Sequence, residues 1–186
     1  MGSNSEFQLG GINHLALVSS DMARTVDFYT NVLGMPLIKT LEIPGGAQHF
    51  FFDCGNGDSL AFFWFPDAPA AAPGIASAGE MPGGGRIVSA HGSMNHVAFD
   101  VPAERFDEYV LKLKDKGVAV TAVLNHDDSE STIAKALHPG VFVRSVYFRD
   151  PDGVLLEFAC WTRVFGPEDT RHAPANAKGE RLQPVG

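Results

Sequence analysis

The chain has 186 residues, 45% hydrophobic and 19% charged, a composition that fits a globular protein with one compact domain or two small halves sharing a core. Its 14 basic and 22 acidic residues leave a formal charge of −8, which disfavours a general nucleic-acid or anionic-membrane surface. No run approaches the roughly 20 apolar residues needed to span a bilayer, and no leader resembles a signal peptide. Cys54 and Cys160 are too few for a disulfide framework and sit in apolar, strand-like contexts, so the expectation is a cytoplasmic protein with buried free thiols.

Residues 1–10 read as a disordered start or a cloning remnant, and a first unit follows over 11–65. Alternation predicts a strand over 12–18, with Ile12, His14, Ala16 and Val18 on one face. Ser20-Asp21 offers N-cap chemistry for a helix reaching Leu33, with Met22, Val26, Tyr29 and Leu33 as its apolar stripe and Gly34 as its stop. Strands are predicted over 37–43, 48–53 and 60–65, the last two joined by the Gly55-Asn56-Gly57-Asp58 turn. Residues 66–92 are rich in Pro, Gly and Ala and longer than an ordinary loop, which predicts a linker, either a flexible strap or a cover over a site.

The second unit, 93–161, runs through the same order. A strand is expected over 94–100, a helix over 102–116 carrying Phe106, Tyr109, Val110 and Leu113 inward, and a strand over 118–124. A polar loop over 125–140 holds His126, Asp127, Asp128 and His138, with His126-Asp127-Asp128 read as solvated. Strands over 141–149 and 154–161 flank the Asp150-Pro151-Asp152-Gly153 turn, which is given no catalytic role. Residues 162–186 read as a polar tail that folds over an edge.

The repeat is carried by two stretches, Asn13-His14-Leu15-Ala16-Leu17 and Asn95-His96-Val97-Ala98-Phe99, whose histidines lie 82 residues apart. The fold class expected is α+β: two paired βαβββ modules forming a half-open barrel, with both histidine strands at its centre. In the last strand Glu157 is flanked by apolar residues, where a carboxylate must be paired, protonated or bound to a cation. His14, His96 and Glu157 would leave part of a divalent shell open, as in the two-His, one-carboxylate sites of non-haem Fe(II), and the same set also serves Mn(II) or Zn(II).

Together with Phe28-Tyr29-x-x-x-Leu33-Gly34-Met35 and the run Tyr147-Phe148-Arg149-Asp150-Pro151-Asp152-Gly153-Val154-Leu155-Leu156-Glu157, these strands resemble the vicinal oxygen chelate superfamily over roughly 11–161. That superfamily includes glyoxalase I, bleomycin-resistance proteins, fosfomycin-resistance thiol transferases and type I extradiol dioxygenases. The resemblance implies a divalent metal on which a substrate chelates through two neighbouring oxygens. Glyoxalase-like members add a carboxylate on the first module's fourth strand, where this chain has Leu60, Ala61 and Phe62. Extradiol enzymes place a Tyr ten residues and a His nineteen residues before the ligand Glu, and Tyr147 and His138 match both spacings. The resemblance therefore implies an Fe(II) extradiol dioxygenase acting on an aromatic diol and O2, as a homodimer, with Tyr147 and His138 steering protons.

Alternatives stay open on the sequence alone. Tyr147 also reads as a strand residue with a bonded hydroxyl, and His138 as an exposed loop residue. The acid-base His of larger extradiol enzymes is replaced by Phe62, Phe63 and Trp64, leaving His49 or His91 as substitutes. A thiol transferase would need cationic groups for a phosphonate, for which Arg144 and Arg149 are the candidates; a bleomycin-resistance-like binder would need no metal. Phe50, Phe52, Phe62, Trp64 and Phe142 are candidate walls for a planar substrate.

Overall fold

The computed structural model describes residues 10–181, so the start at Met1–Phe7 lies outside the described residues. Two mixed sheets carry the fold. The first has the order β1-β4-β3-β2, built from β1 (His14–Ser19), β2 (Leu37–Ile43), β3 (Ala47–Gly55) and β4 (Asp58–Trp64). The second has the order β5-β9-β8-β6-β7, from β5 (Val97–Asp100), β6 (Leu124–His126), β7 (Ile133–Ala134), β8 (Val143–Arg149) and β9 (Leu155–Trp161). In each sheet the first strand pairs parallel with the last and the other pairings are antiparallel, so the sequence repeat is also a repeat of topology. The architecture is α+β, as expected, with two small open sheets rather than a closed barrel.

Helix α1 (Met22–Asp27) starts where the Asp21 carboxylate accepts the Arg24 backbone N–H at 3.1 Å. It continues as a π-helical turn over Phe28–Val32 and stops at Gly34, whose φ of +77° suits a residue without Cβ. Helix α2 (Phe106–Asp115) follows a 3-10 turn at Ala103–Arg105. The helix-bearing faces of both sheets share one core, in which Met22, Tyr29, Phe52, Leu60 and Phe62 meet Leu113, Phe148 and Leu156. A polar tie accompanies it. The buried Tyr29 hydroxyl donates to Asp150 Oδ2 at 3.2 Å, Arg24 donates to the Pro151 carbonyl, and Ser20 Oγ donates to Asp152. The Asp150–Gly153 turn therefore joins the modules as well as two strands.

Two expected strands are displaced. Residues 118–123 do not pair as a strand, because the Thr121 hydroxyl accepts the Tyr147 N–H at 3.1 Å, beside a single backbone bond to β8, Thr121 N to Tyr147 O. Pairing begins at Leu124 opposite Ser145, which makes His126 a strand residue rather than part of a solvated loop. The strand expected from 94 starts at Val97, because the Asn95 carbonyl accepts from Ala78 of the linker. The linker is folded: Ala78 is fully buried against Tyr147 and Leu155, with Met81 and Leu124 alongside. Beyond β9, a 3-10 turn at Pro167–Thr170 is held by Arg163, which bonds Asp169 at 2.5 Å and lies 3.8 Å from Asp128.

Candidate metal centre

Alternation along β9 puts Leu155, Glu157 and Ala159 on the face opposite the core residues Leu156 and Phe158. Across the ladder Tyr147 stands opposite Glu157 and Ser145 opposite Ala159, while Val143 is opposite His126 on β6. Just before β5, His96 joins this group: its Nε2 lies 3.1 Å from Glu157 Oε2. Its Nδ1 faces the Asn95 side-chain carbonyl at 2.9 Å, so Nδ1 carries a hydrogen and Nε2 is the nitrogen turned to Glu157 and the site.

Glu157 is only 5% exposed. Burial pushes its carboxyl up, but the His96 contact and charge, with Tyr147, outweigh that and hold it below the ordinary glutamate value. Tyr147 goes the other way: burial, then the Glu157 charge, pushes its phenol up to about 12, so the hydroxyl stays protonated and donating. The Ser145 hydroxyl is buried on the same face without a hydrogen-bond partner. A buried carboxylate beside an imidazole nitrogen and an orphaned hydroxyl fits a divalent cation held by nitrogen and oxygen donors.

His14 stands elsewhere. It is exposed on β1, its Nδ1 2.8 Å from Asn13 Oδ1 and its ring edge-on to Phe51 with centroids 5.7 Å apart. Among the described residues no three His, Cys, Asp or Glu side chains are grouped to hold an ion within one chain. The His14 face continues through Ser59, Ala61 and Phe63 on β4 and through Phe51 and His49 on β3. His49 stacks on Phe63 with centroids 3.6 Å apart, and its Nδ1 lies 3.2 Å from the Phe62 carbonyl. Of the two substitute histidines, His49 shares the His14 face, whereas His91 sits exposed in the linker. Phe52 and Phe62 are buried on the core face and Phe50 and Trp64 pack against them, so these four are not cavity walls; Phe51 and Phe63 are the aromatics on the open side.

His138 is bound into its own loop, its Nε2 3.1 Å from Asp127 Oδ2 and its Nδ1 accepting from Gly140 N at 3.0 Å. The imidazole beside Tyr147 is His126, with Nε2 3.5 Å from the phenol oxygen, at the long limit of a hydrogen bond. Its polar neighbours hid it in the sequence; the pairing of β6 with β8 is the signal that finds it. Both candidate arginines are committed. Arg144 pairs with Asp107 at 2.7 Å over the Phe106 ring, and Arg149 donates to the carbonyls of Ala78, Gly79 and Gly153 at 3.1, 3.0 and 2.6 Å.

Comparison with known proteins bears on the fold and the family. The chain is 27% identical over 147 residues to metallothiol transferase FosB of Lysinibacillus sphaericus, covering 79% of each protein. It is 27% identical over 157 residues to a Bacillus subtilis protein named as a ring-cleaving dioxygenase, MhqE, covering 77% of this chain but only 46% of MhqE. Its fold matches that of the Listeria monocytogenes fosfomycin resistance protein FosX, determined with Mn(II) and sulfate, at a TM-score of 0.53 and 20% identity over 83% of this chain and 95% of FosX. The sequence model of the Glyoxalase/Bleomycin resistance protein/Dioxygenase superfamily matches residues 11–158, and the chain belongs to that superfamily.

Proposed function

We propose that this protein is a metal-dependent enzyme that opens an aromatic ring beside a vicinal diol, and that it works as a homodimer. In this reading His96 and Glu157 of one copy and His14 of a second copy are the metal ligands. The observation that carries it is the Glu157 carboxylate, buried and facing the Nε2 of His96 at 3.1 Å on an otherwise apolar strand. A second copy supplies the third donor because His14 and its neighbours Ile12 and Val18, 68% and 52% exposed, form an uncovered face in the single chain.

A divalent cation at these donors, Fe(II) in the first instance and Mn(II) or Zn(II) otherwise, would supply the positive charge that holds two neighbouring substrate oxygens and, as iron, the redox chemistry toward O2. Everything else falls to side chains. The Tyr147 hydroxyl, across the ladder from Glu157, donates a hydrogen bond to a substrate oxygen, stabilising charge that develops there. His126, 3.5 Å from the phenol, is placed to accept or return a proton. Phe51 and Phe63 on the partner's open face supply flat apolar contact for a ring. His138 would act through Asp127 and the loop rather than on substrate.

A thiol transferase is the second reading, favoured by the similarity to FosB. Against it, both arginines available for a phosphonate are spent on Asp107 and on the linker carbonyls. The two readings separate in one set of assays. Protein loaded anaerobically with Fe(II) should consume O2 and form a yellow ring-opened product with monocyclic or bicyclic catechols. No uptake with any of them, together with thiol addition to fosfomycin by the Mn(II)-loaded protein, would replace the first reading with the second.

A further inference from the structure

The linker over 66–91 is pinned to the second module at two places, and the second of them reaches a proposed metal ligand. Arg149 fastens its middle by donating to the Ala78 and Gly79 carbonyls, and Ser77 Oγ donates to the Gly153 carbonyl at 3.4 Å. Further along, the Asn95 side-chain amide donates to the Ile87 carbonyl at 2.5 Å and to Ser89 Oγ at 3.0 Å, while Ala78 N donates to the Asn95 backbone carbonyl at 3.2 Å. Asn95 is therefore held by the linker at its side chain and its backbone.

The chemistry of a carboxamide makes this directional. Its nitrogen only donates and its oxygen only accepts. With Ile87 O and Ser89 Oγ taking the nitrogen, the oxygen must face His96 Nδ1, which it does at 2.9 Å. That contact keeps a hydrogen on Nδ1 and leaves Nε2 as the nitrogen that faces Glu157 and is available to a cation. The opposite rotation of the amide would set its N–H groups against His96 and leave Ile87 O facing an acceptor.

We infer that the linker is a positioning element for the metal site: Ile87 and Ser89 orient the Asn95 carboxamide, and Asn95 fixes the ring and tautomer of His96. This rests on the assignment of His96 as a ligand and extends it to residues that touch neither metal nor substrate. Outer hydrogen bonds to a ligating histidine are typically worth about 10–100-fold in metal affinity, and here that grip originates in a segment whose composition resembles a spacer.

The test is the affinity of purified full-length protein for Mn(II) and Zn(II), measured by titration calorimetry on wild type, Asn95→Leu, Asn95→Asp and Ser89→Ala, with thermal melting of each metal-free protein alongside. The expected result for Asn95→Leu is a 10–100-fold weaker affinity for both ions. Asn95→Asp keeps an acceptor toward His96 but turns a carboxylate oxygen to the Ile87 carbonyl, so it should recover only part of the loss. Ser89→Ala, a mild change at the surface, should weaken binding several-fold with its melting midpoint unmoved, which a merely structural role would not produce. Affinities within twofold of wild type in both Asn95→Leu and Ser89→Ala overturn the inference while leaving the metal site standing. If Asn95→Leu does not fold, Ser89→Ala alone decides. A wild-type protein that binds neither ion overturns the metal site, and the inference with it.

Discussion

Arg149→Met tests whether the linker is part of the folded body. The substitution keeps an apolar stem of similar reach and removes three charge-assisted hydrogen bonds, to Ala78, Gly79 and Gly153. Gly79 and Gly153 are open enough for water to replace Arg149 at their carbonyls, so each of those bonds counts only about 0.5–1.5 kcal/mol net. Ala78 is fully buried, and leaving its carbonyl without a partner costs about 1–3 kcal/mol. Arg149 is half-buried and partly screened, so the low end of the sum applies, about 2 kcal/mol. For a domain of this size that lowers the melting midpoint by about 4–8 °C if the linker opens with the whole. Local opening would instead appear as faster cleavage in the linker at temperatures where wild type resists. Calorimetry together with limited proteolysis reads both. A midpoint within about 2 °C of wild type, with unchanged linker cleavage, would refute the reasoning and return 66–91 to a loose connection.

Three further outcomes follow from the site and the tail. Tyr147→Phe in the metal-loaded protein should lower turnover about 10²–10⁴-fold while leaving metal content intact, and a loss of bound metal would contradict its role at the substrate. His126→Asn should lower turnover, and in the Tyr147→Phe background should add little; full additivity would show the two acting independently. Asp169, held at about 2 by Arg163 first and then by the Gly166 N–H, has a folded value below its unfolded one. Its contribution is therefore complete above the ordinary aspartate value and lost as pH falls toward 2. Amide exchange in 163–170 should accelerate across that window, and exchange that ignores pH there would remove the Arg163 clamp from the account.

The legible parts of this protein are those written locally. The doubled Asn-His strands and the glutamate marooned in an apolar run announce a duplicated sheet and a charged group seeking a partner, and both appear in the fold. His126 was illegible because Asp127 and Asp128 make its surroundings look solvated, and only the cross-strand pairing with Val143 brings it beside Tyr147. The stretch 118–123 misleads in the opposite sense: its apolar run resembles a strand, but the Thr121 side chain takes the bond a ladder would need. Pro, Gly and Ala in the linker read alike whether free or packed, since what orders them is Arg149 and Asn95 from distant parts of the chain. The place of His14 is set by how sheets from whole modules meet, a property no window of sequence contains.

The proposed two-copy site can be tested most directly by counting bound metal in mixed dimers. Wild type should hold about one divalent ion per chain, and His14→Ala and Glu157→Ala proteins alone should hold almost none. When the two variants are unfolded, mixed and refolded together, half the dimers pair one of each and contain one intact site, so metal should return to about a quarter of the wild-type level. Metal that stays near zero in the mixture, or that persists in either variant alone, would contradict a site built from His14 of one copy and His96 with Glu157 of the other.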